Sequence, residues 1–383
     1  MNGPPPTRVI LDGSDLPIAH LTQEQAARFA DGDALFESVM REPDGLGPLY
    51  VRASCSDCHR EDGRGPGRVT RLGVRLPVTE AARAELLPYG DTVRPYVAAG
   101  ARHALVAQGD PLVVTQRLPP AVFGRGYLEA VADEEIERLG REAAARSGPI
   151  RGRIARVRPV EPPPEGVGAR AGQPSATARR IGRFGLKARL ATLTEFTADA
   201  FHGDMGLTSP LFPVEPANPE HLEDDLKPGI DLGMEAVEQV ADYVRLLALP
   251  RRPAADPRAE RLFAAALCAT CHTPALRTRA DYPIGALSDI DAPVYTDLLL
   301  HDMGEGLADG VAEGDASARE WRTAPLIGLR FSRWLMHDGR AEGVEAAILA
   351  HAGPGSEANV SVRRFESLSA ADRRALVAFV EGL

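Results

Sequence analysis

The sequence predicts a mainly α-helical protein built from two similar domains in tandem. Two observations support this prediction: a short cysteine and histidine motif occurs twice, and each copy follows a segment with helical periodicity. The chain has 383 residues, of which 44% are hydrophobic, so it is long enough to form more than one compact core. This composition excludes disorder as the main state of the chain.

Charge and hydropathy exclude two further classes of protein. The 54 acidic side chains outnumber the 44 basic ones and give a net charge of −10, so a broad nucleic-acid-binding surface is not expected. No segment approaches the roughly 18 to 20 apolar residues of a membrane-spanning helix. We therefore expect a soluble protein with no transmembrane segment.

All four cysteines occur in Cys-x-x-Cys-His motifs, Cys55-Ser56-Asp57-Cys58-His59 and Cys268-Ala269-Thr270-Cys271-His272. In this spacing one helical turn separates the cysteines, which suits thioether bonds to the two vinyl groups of haem, and the next histidine can bind the iron. The sequence therefore predicts two covalently bound haem c groups. The first would be held by Cys55, Cys58 and His59, and the second by Cys268, Cys271 and His272.

Three other chemistries use paired cysteines. A thioredoxin-like dithiol needs no following histidine in both copies, and a shared zinc site would leave both histidines unexplained. Disulfides within such tight turns would be strained. Haem c accounts for all six residues and is the interpretation we adopt.

Haem c is attached outside the cytoplasm, so we expect a periplasmic or exported bacterial protein. The segment from Met1 to Pro6 has neither the basic region nor the apolar core of a signal peptide. We expect that a leader was removed from this chain, and a cytoplasmic apoprotein is the alternative.

The order of helices and motifs repeats along the chain. A capping box at Thr22–Gln25 predicts a helix that runs to about Met40, ahead of the first motif. Valines and leucines spaced three and four apart predict a helix over Gly233–Leu249 that stops at Pro250 and closes the first domain. A proline-rich linker follows at 249–257.

The second domain repeats this order. Pro257 predicts the start of a helix that leads into Cys268, and Ser369 predicts the cap of a terminal helix with an apolar stripe. We therefore expect cytochrome c-like haem domains at 1–252 and 253–383. The first is enlarged by insertions, chiefly a loop or small β-hairpin at Ser147–Arg180, and a disordered segment or a basic docking edge for a redox partner are alternatives.

The residues around both motifs resemble the di-haem oxidoreductase family, whose members are described as peroxidases. Similar stretches are Gly45–Pro48, Ser54–His59, Asp62–Pro66, Gly182–Ala188, Ala200–Pro210, Asp297–Gly304, Trp321–Leu326 and His337–Ala341. The family in turn resembles the bacterial di-haem cytochrome c peroxidases and the di-haem enzyme that matures a tryptophan cofactor in methylamine dehydrogenase. The resemblance implies that one haem reacts with peroxide and the other passes electrons.

For the second haem, the resemblance implies an iron ligand after a His-Asp-Gly turn. His351 lies about there, and two histidine ligands generally give a lower reduction potential than histidine with methionine. Met303 is the second candidate ligand, and an exposed histidine at a helix end is the alternative role for His351. His337 is expected to order its turn, or to contact a haem propionate through Arg340.

For the first haem, the relatives carry a carboxylate in a Glu-Met-Gly turn, and this chain has Asp204-Met205-Gly206. A carboxylate above an open iron can move the proton that peroxide cleavage requires, so Asp204 is the first catalytic candidate. A turn-capping role is its alternative. Glu129 is a further carboxylate candidate, with a solvated residue at a helix start as its alternative. His202 is a candidate iron ligand.

Two remaining features are less specific. Trp321 and Trp334 could carry an electron hole between haems, but packing is the expected role of each. The relatives often hold calcium, and no acidic loop here has a distinctive calcium spacing, so calcium remains possible without support from the sequence.

The sequence thus favours a periplasmic peroxidase-like enzyme that uses hydrogen peroxide or another small oxidant. Its partner would be a periplasmic electron donor or a protein substrate. A non-catalytic di-haem electron-transfer cytochrome and an oxygen-activating di-haem oxygenase are the alternatives.

Overall fold

The computed structural model describes residues 16–60, 67–75, 78–98, 109–161, 179–220, 222, 227–254 and 256–383. The helices are α1 (Gln23–Glu37), α2 (Glu80–Leu86), α3 (Arg125–Ala130), α4 (Asp133–Ala145), α5 (Leu193–Ala200), α6 (Met234–Leu246), α7 (Pro257–Ala265), α8 (Gly304–Leu307), α9 (Gly343–Ala350), α10 (Asn359–Glu366) and α11 (Ala370–Glu381). The strands are β1 (Leu49–Tyr50), β2 (Val69–Val74), β3 (Tyr96–Val97), β4 (Leu112–Arg117), β5 (Arg156–Val157), β6 (Arg180–Ile181), β7 (Leu276–Arg277), β8 (Asp291–Ala292), β9 (Leu300–Asp302), β10 (Glu320–Arg322), β11 (Trp334–Leu335) and β12 (Ala341–Glu342).

The two helices predicted in the first half are confirmed. The Thr22 hydroxyl accepts a hydrogen bond from the Gln25 backbone N–H, and the Gln25 side chain accepts one from the Thr22 backbone, so the capping box forms and α1 begins there. Helix α1 ends at Glu37, three residues before the predicted Met40. Helix α6 begins after Gly233 and ends at Leu246, slightly short of its predicted end.

The two helices predicted in the second half are also confirmed. Pro257 is the first residue of α7, where the Asp256 side chain accepts a hydrogen bond from the Arg258 backbone N–H. Helix α11 follows Ser369, whose hydroxyl accepts a hydrogen bond from the Asp372 backbone N–H. Its apolar stripe is buried in the core of the second half.

In each half, the helix ahead of the motif packs against the last helix of that half. Helix α1 contacts α6, and α7 contacts α11. The first crossing is so close that a Cβ at Gly32 would come within 2.1 Å of the Gln239 carbonyl oxygen. The same type of helix pair therefore occurs in both halves, and the arrangement as two tandem haem domains stays a prediction.

The described residues form two large hydrophobic cores and one small cluster, and the division between the large cores does not coincide with the linker. Helices α7, α9, α10 and α11 build the smaller core. The larger core contains α1, α3 and α6, and it also takes in buried residues from Leu276 to Leu299, which follow the second motif. The predicted boundary at residue 252 therefore stays a prediction, because part of the second segment packs into the first core.

Strands are more frequent than the sequence predicts. Six two-stranded antiparallel sheets occur among the described residues, so the fold combines helices with small sheets and the mainly helical prediction is confirmed only in part. Most of these strands have two or three residues, too few to show an alternating pattern.

The predicted insertion forms a hairpin-like pair at its base. Strand β5 pairs with β6, with Arg156 opposite Ile181, and residues 162–178 between them lie outside the described part of the chain. In the described ranges, no helix combines the length and the apolar character needed to cross a bilayer.

Candidate haem sites

The first motif forms the tight turn that its spacing predicts. The backbone N–H groups of Cys58 and His59 both donate to the Cys55 carbonyl, at 3.1 and 3.0 Å. The His59 ring lies 6.2 Å from the ring centre of Phe36 on α1. The motif therefore packs against α1, the helix that precedes it.

The state of the cysteines argues against disulfides and a reactive dithiol. None of the four cysteines forms a disulfide. Burial raises the pKa of Cys55 to about 12, that of Cys58 to about 11 and that of Cys268 to about 12. A reactive dithiol needs the opposite shift, because it acts as the deprotonated sulfur.

Asp204 lies in a turn that is bound to the segment leading into the first motif. A π-helical turn at Phe201–Met205 continues α5, and its Asp204 carbonyl accepts a hydrogen bond from the Val51 N–H at 2.6 Å. Gly206 ends the turn at φ 76°, where a Cβ would lie 2.5 Å from the Gly47 carbonyl oxygen. The Asp-Met-Gly sequence thus forms a turn that only glycine can close here.

The surroundings of Asp204 suit proton transfer. Burial raises the pKa of its carboxyl to about 6, although the guanidinium groups of Arg71, Arg189 and Arg94 oppose this shift. The charge of Asp204 in turn raises the pKa of both Cys55 and Cys58, so the carboxyl lies within electrostatic reach of the first motif. A carboxyl that changes protonation near neutral pH is the property that a general acid and base requires.

His202 is engaged elsewhere. Its Nε2 lies 2.8 Å from the Val214 carbonyl oxygen, and its ring stacks on Phe212 with centres 5.3 Å apart. Because a carbonyl can only accept, Nε2 carries the hydrogen. This contact disfavours His202 as an iron ligand.

Glu129 is not a solvated residue at a helix start, so that alternative is wrong. Its carboxylate accepts hydrogen bonds from Arg245 at 2.7 Å, Tyr282 at 2.8 Å and the Leu193 backbone at 2.7 Å. Burial opposes ionisation, but Arg245 outweighs it and the pKa of Glu129 is lowered. These contacts join three segments and favour a structural role.

The second motif lines a cavity of about 260 Å³. A short 3₁₀ turn at Cys268–Thr270 brings the His272 backbone N–H to the Cys268 carbonyl at 2.9 Å. The lining includes most of the residues that the sequence proposes for this haem: Cys268, Cys271, His272, Met303, His337 and His351.

Two imidazoles lie near each other in this cavity, with an angle of 67° between the ring planes of His272 and His351. Nδ1 of His272 donates to the Tyr295 carbonyl at 3.1 Å, and Nδ1 of His351 donates to the Ala347 carbonyl at 2.6 Å. Burial lowers the pKa of His272 to about 4 and also lowers that of His351. Both rings are therefore neutral at pH 7, with an unprotonated Nε2.

The separation of the two rings suits a shared metal ion. Their centres lie 6.5 Å apart. When two imidazoles bind one metal ion from opposite sides, each metal–nitrogen bond is about 2 Å long. Their ring centres then lie about 6 Å apart. His351 is thus favoured over Met303, which also lines the cavity from the residue before α8.

The tryptophans differ in exposure. Trp321 lines the cavity, stacks on His337 with centres 3.9 Å apart and has the Lys187 ammonium 3.9 Å from its ring centre. Its indole N–H donates to the Leu307 carbonyl at 2.9 Å. Trp334 is 42% exposed. The packing role predicted for Trp321 agrees with these contacts.

Arg340 is not among the cavity-lining residues. Its guanidinium forms an ion pair with Asp338 at 2.7 Å and donates a hydrogen bond to the Gly306 carbonyl. These two contacts stabilise the His337–Ala341 turn. Two arginines that the sequence analysis did not select, Arg125 and Arg322, do line the cavity. Arg322 lies inside the Trp321–Leu326 stretch, and the resemblance of this stretch to the family could have pointed to it.

The family model of di-haem oxidoreductases, described as "Di-haem oxidoreductase, putative peroxidase", matches residues 91–383. The chain belongs to this family. The match includes the second motif and begins after the first. No curated protein matches the chain.

Two solved structures are similar to this chain. Hydrazine synthase from Kuenenia stuttgartiensis is 13% identical over 95% of this chain and 89% of its own, with a TM-score of 0.40. A variant of the diheme peroxidase BthA from Burkholderia thailandensis is 15% identical over 99% of this chain and 95% of its own, with a TM-score of 0.39. At TM-scores of this size, neither structure indicates what this chain does.

Proposed function

We propose that this member of the di-haem oxidoreductase family is a periplasmic peroxidase with two haem c groups. Hydrogen peroxide would react at the N-terminal haem, and the C-terminal haem would relay the electrons. One observation carries the proposal: a carboxyl with a pKa of about 6 lies within electrostatic reach of the first motif, whereas the second motif has two imidazoles with ring centres 6.5 Å apart.

The residues of the second site fit an electron-transfer haem. Cys268 and Cys271 would hold it through thioether bonds, and His272 and His351 would be the iron ligands. An iron with two strong ligands exchanges electrons without an open position for a substrate. Of the described residues, Arg125 and Arg322 supply positive charge to the cavity wall, where they suit haem propionates.

The residues of the first site fit a reactive haem. Cys55, Cys58 and His59 would hold it, and Asp204 would face the bound peroxide. When bound, the haem supplies an iron that can take a small oxidant and exchange electrons with it. The remaining task of the site is to move a proton of the peroxide.

Asp204 would move that proton. With a pKa of about 6, its carboxyl is mostly ionised at neutral pH and can take the proton from the near oxygen of the peroxide. It can then return this proton to the far oxygen, which leaves as water. In the whole reaction, one peroxide, two electrons from the donor and two protons from solvent give two molecules of water.

The proposed location follows from the proposed attachment. Thioether bonds to haem are made outside the cytoplasm, so the donor would be a periplasmic redox protein or a protein substrate.

The test is the reaction of the full haem-loaded chain with hydrogen peroxide. Mass spectrometry should find two covalent haems, and peroxide should be consumed from the oxidised or the half-reduced state, with the optical change confined to one haem. A lack of reaction in both states would overturn the proposal. Six-coordinate low-spin spectra from both haems in every redox state would instead favour an electron-transfer cytochrome.

A further inference from the structure

A buried histidine lies beside the second motif without being one of its proposed ligands. His301 is 3% exposed, and each of its ring nitrogens contacts a different carboxylate. Nε2 lies 2.9 Å from Asp297 Oδ2, and Nδ1 lies 2.8 Å from Glu357 Oε2. Because an ionised carboxylate can only accept a hydrogen bond, both nitrogens must donate, and the ring is a cation.

Both carboxylates are held by backbone groups. Asp297 Oδ1 accepts from the Leu299 N–H at 3.0 Å. Glu357 accepts from the Arg151 N–H at 2.8 Å and from the Asp302 N–H at 3.2 Å. These hydrogen bonds hold both carboxylates in place, and the two carboxylates fix the imidazole ring from both sides.

The cluster of Asp297, His301 and Glu357 lies beside Cys271, one of the two cysteines proposed to hold the second haem. His301 Nδ1 lies 3.7 Å from Cys271 Sγ, and His301 and Glu357 both line the haem cavity. The pairing of β9 with β10 sets His301 opposite Trp321, which lines the same cavity. A charge this close to Cys271 would act on the iron of a haem bound there, because the protein interior screens charge less than water does.

The same residues have the spacing of metal ligands. Donor atoms of Cys271, Asp297 and His301 lie within 4.8 Å of one another. However, both nitrogens of His301 already donate to carboxylates, so no lone pair is left on the ring for a metal ion. The contacts describe a hydrogen-bonded cluster.

We infer that Asp297, His301 and Glu357 form a positioning cluster that sets the reduction potential of the second haem. The imidazolium beside Cys271 stabilises the reduced state, whereas the two carboxylates, which hold the ring in place, have the opposite effect. The donor supplies one electron to the iron, and no bond or proton at His301 changes. The inference rests on the second haem of the proposed function.

The test is a spectroelectrochemical titration of the full haem-loaded chain. His301→Gln removes the positive charge and should shift the second haem to a lower potential. Asp297→Asn and Glu357→Gln each remove a negative charge and should shift it to a higher potential. All three substitutions disturb the same hydrogen bonds, so a merely structural role would not give shifts of opposite sign.

The matched control is Glu345→Gln, which removes a carboxylate from the exposed face of α9 and should leave the potential unchanged. Unchanged potentials, or shifts of one sign in all three variants, would overturn the inference. If His301→Gln fails to load haem, the potentials of Asp297→Asn and Glu357→Gln test the inference, since these two substitutions preserve side-chain size. Failure of the proposed function would be seen separately, as missing covalent haem or no peroxide reaction in the unaltered chain.

Discussion

The regions around the two motifs contain the same Asp-Met-Gly sequence in different local structures: Asp204 lies in a π-helical turn, and Asp302 is the last residue of β9. Asp204-Met205-Gly206 and Asp302-Met303-Gly304 both end on a glycine with positive φ, 76° and 72°. In the first turn, burial raises the pKa of the aspartate to about 6. In the second, Asp302 accepts hydrogen bonds from the Gly304 N–H at 2.8 Å and from Arg319 at 3.0 Å.

The comparison shows that a shared Asp-Met-Gly sequence does not give the aspartate the same surroundings. Asp302 has a charged partner in Arg319, and its side chain is 40% exposed. Asp204 lacks such a tight partner among the described residues and is desolvated. The histidines nearby differ too, because His202 contacts a backbone carbonyl and His301 lies between two carboxylates.

The largest expected effect separates the two motifs. Replacing Cys55 and Cys58 by alanine should remove one covalent haem and all peroxide turnover. Replacing Cys268 and Cys271 should remove the other haem and abolish turnover driven by the donor. Mass spectrometry counts the haems, and two haems retained in either variant would refute the attachment.

Asp204→Asn should lower peroxide turnover by about 10²- to 10⁴-fold, because it removes the proposed acid and base. Turnover of the unaltered chain should rise with pH through about 6, as Asp204 loses its proton and becomes able to act as a base. The variant should lose that rise.

Asp57→Asn is the matched control for this prediction, since Asp57 is an exposed carboxylate within the first motif. Stopped-flow mixing across the pH range measures both variants. Normal turnover by Asp204→Asn would remove the acid and base assignment.

Truncating one aromatic in each core tests whether the halves are separate. Phe36→Ala in the larger core and Phe263→Ala in the smaller should each lower the free energy of unfolding by about 3 to 5 kcal/mol. Each should perturb chiefly the spectrum of its own haem. Denaturant titration with optical detection at both haems measures this, and equal changes at both would argue for one cooperative unit.

The smallest expected effect is a change of ligand. His351→Met should keep the second haem six-coordinate and raise its potential, because a thioether ligand favours the reduced iron more than imidazole does. Near-infrared and potentiometric spectra identify the ligand. If Met303 already binds the iron, this variant should change neither spectrum.

Much of the local structure was predictable from the sequence because its cause is local. The capping box at Thr22, the proline at the start of α7 and the Ser369 cap each define a helix through neighbours three or fewer residues away. The turns within the two motifs follow for the same reason. The short strands were missed because two or three residues carry no periodic signal.

The sequence by itself predicted one common use for all four cysteines and determined which helices flank the two motifs. Only the tertiary structure showed the surroundings of each candidate residue, because the contacts that define them join distant segments. Burial sets the pKa of Asp204, folding brings His351 near His272, and His301 meets Glu357 from 56 residues further along the chain. Glu129 illustrates the same limit, since its partner Arg245 lies 116 residues away.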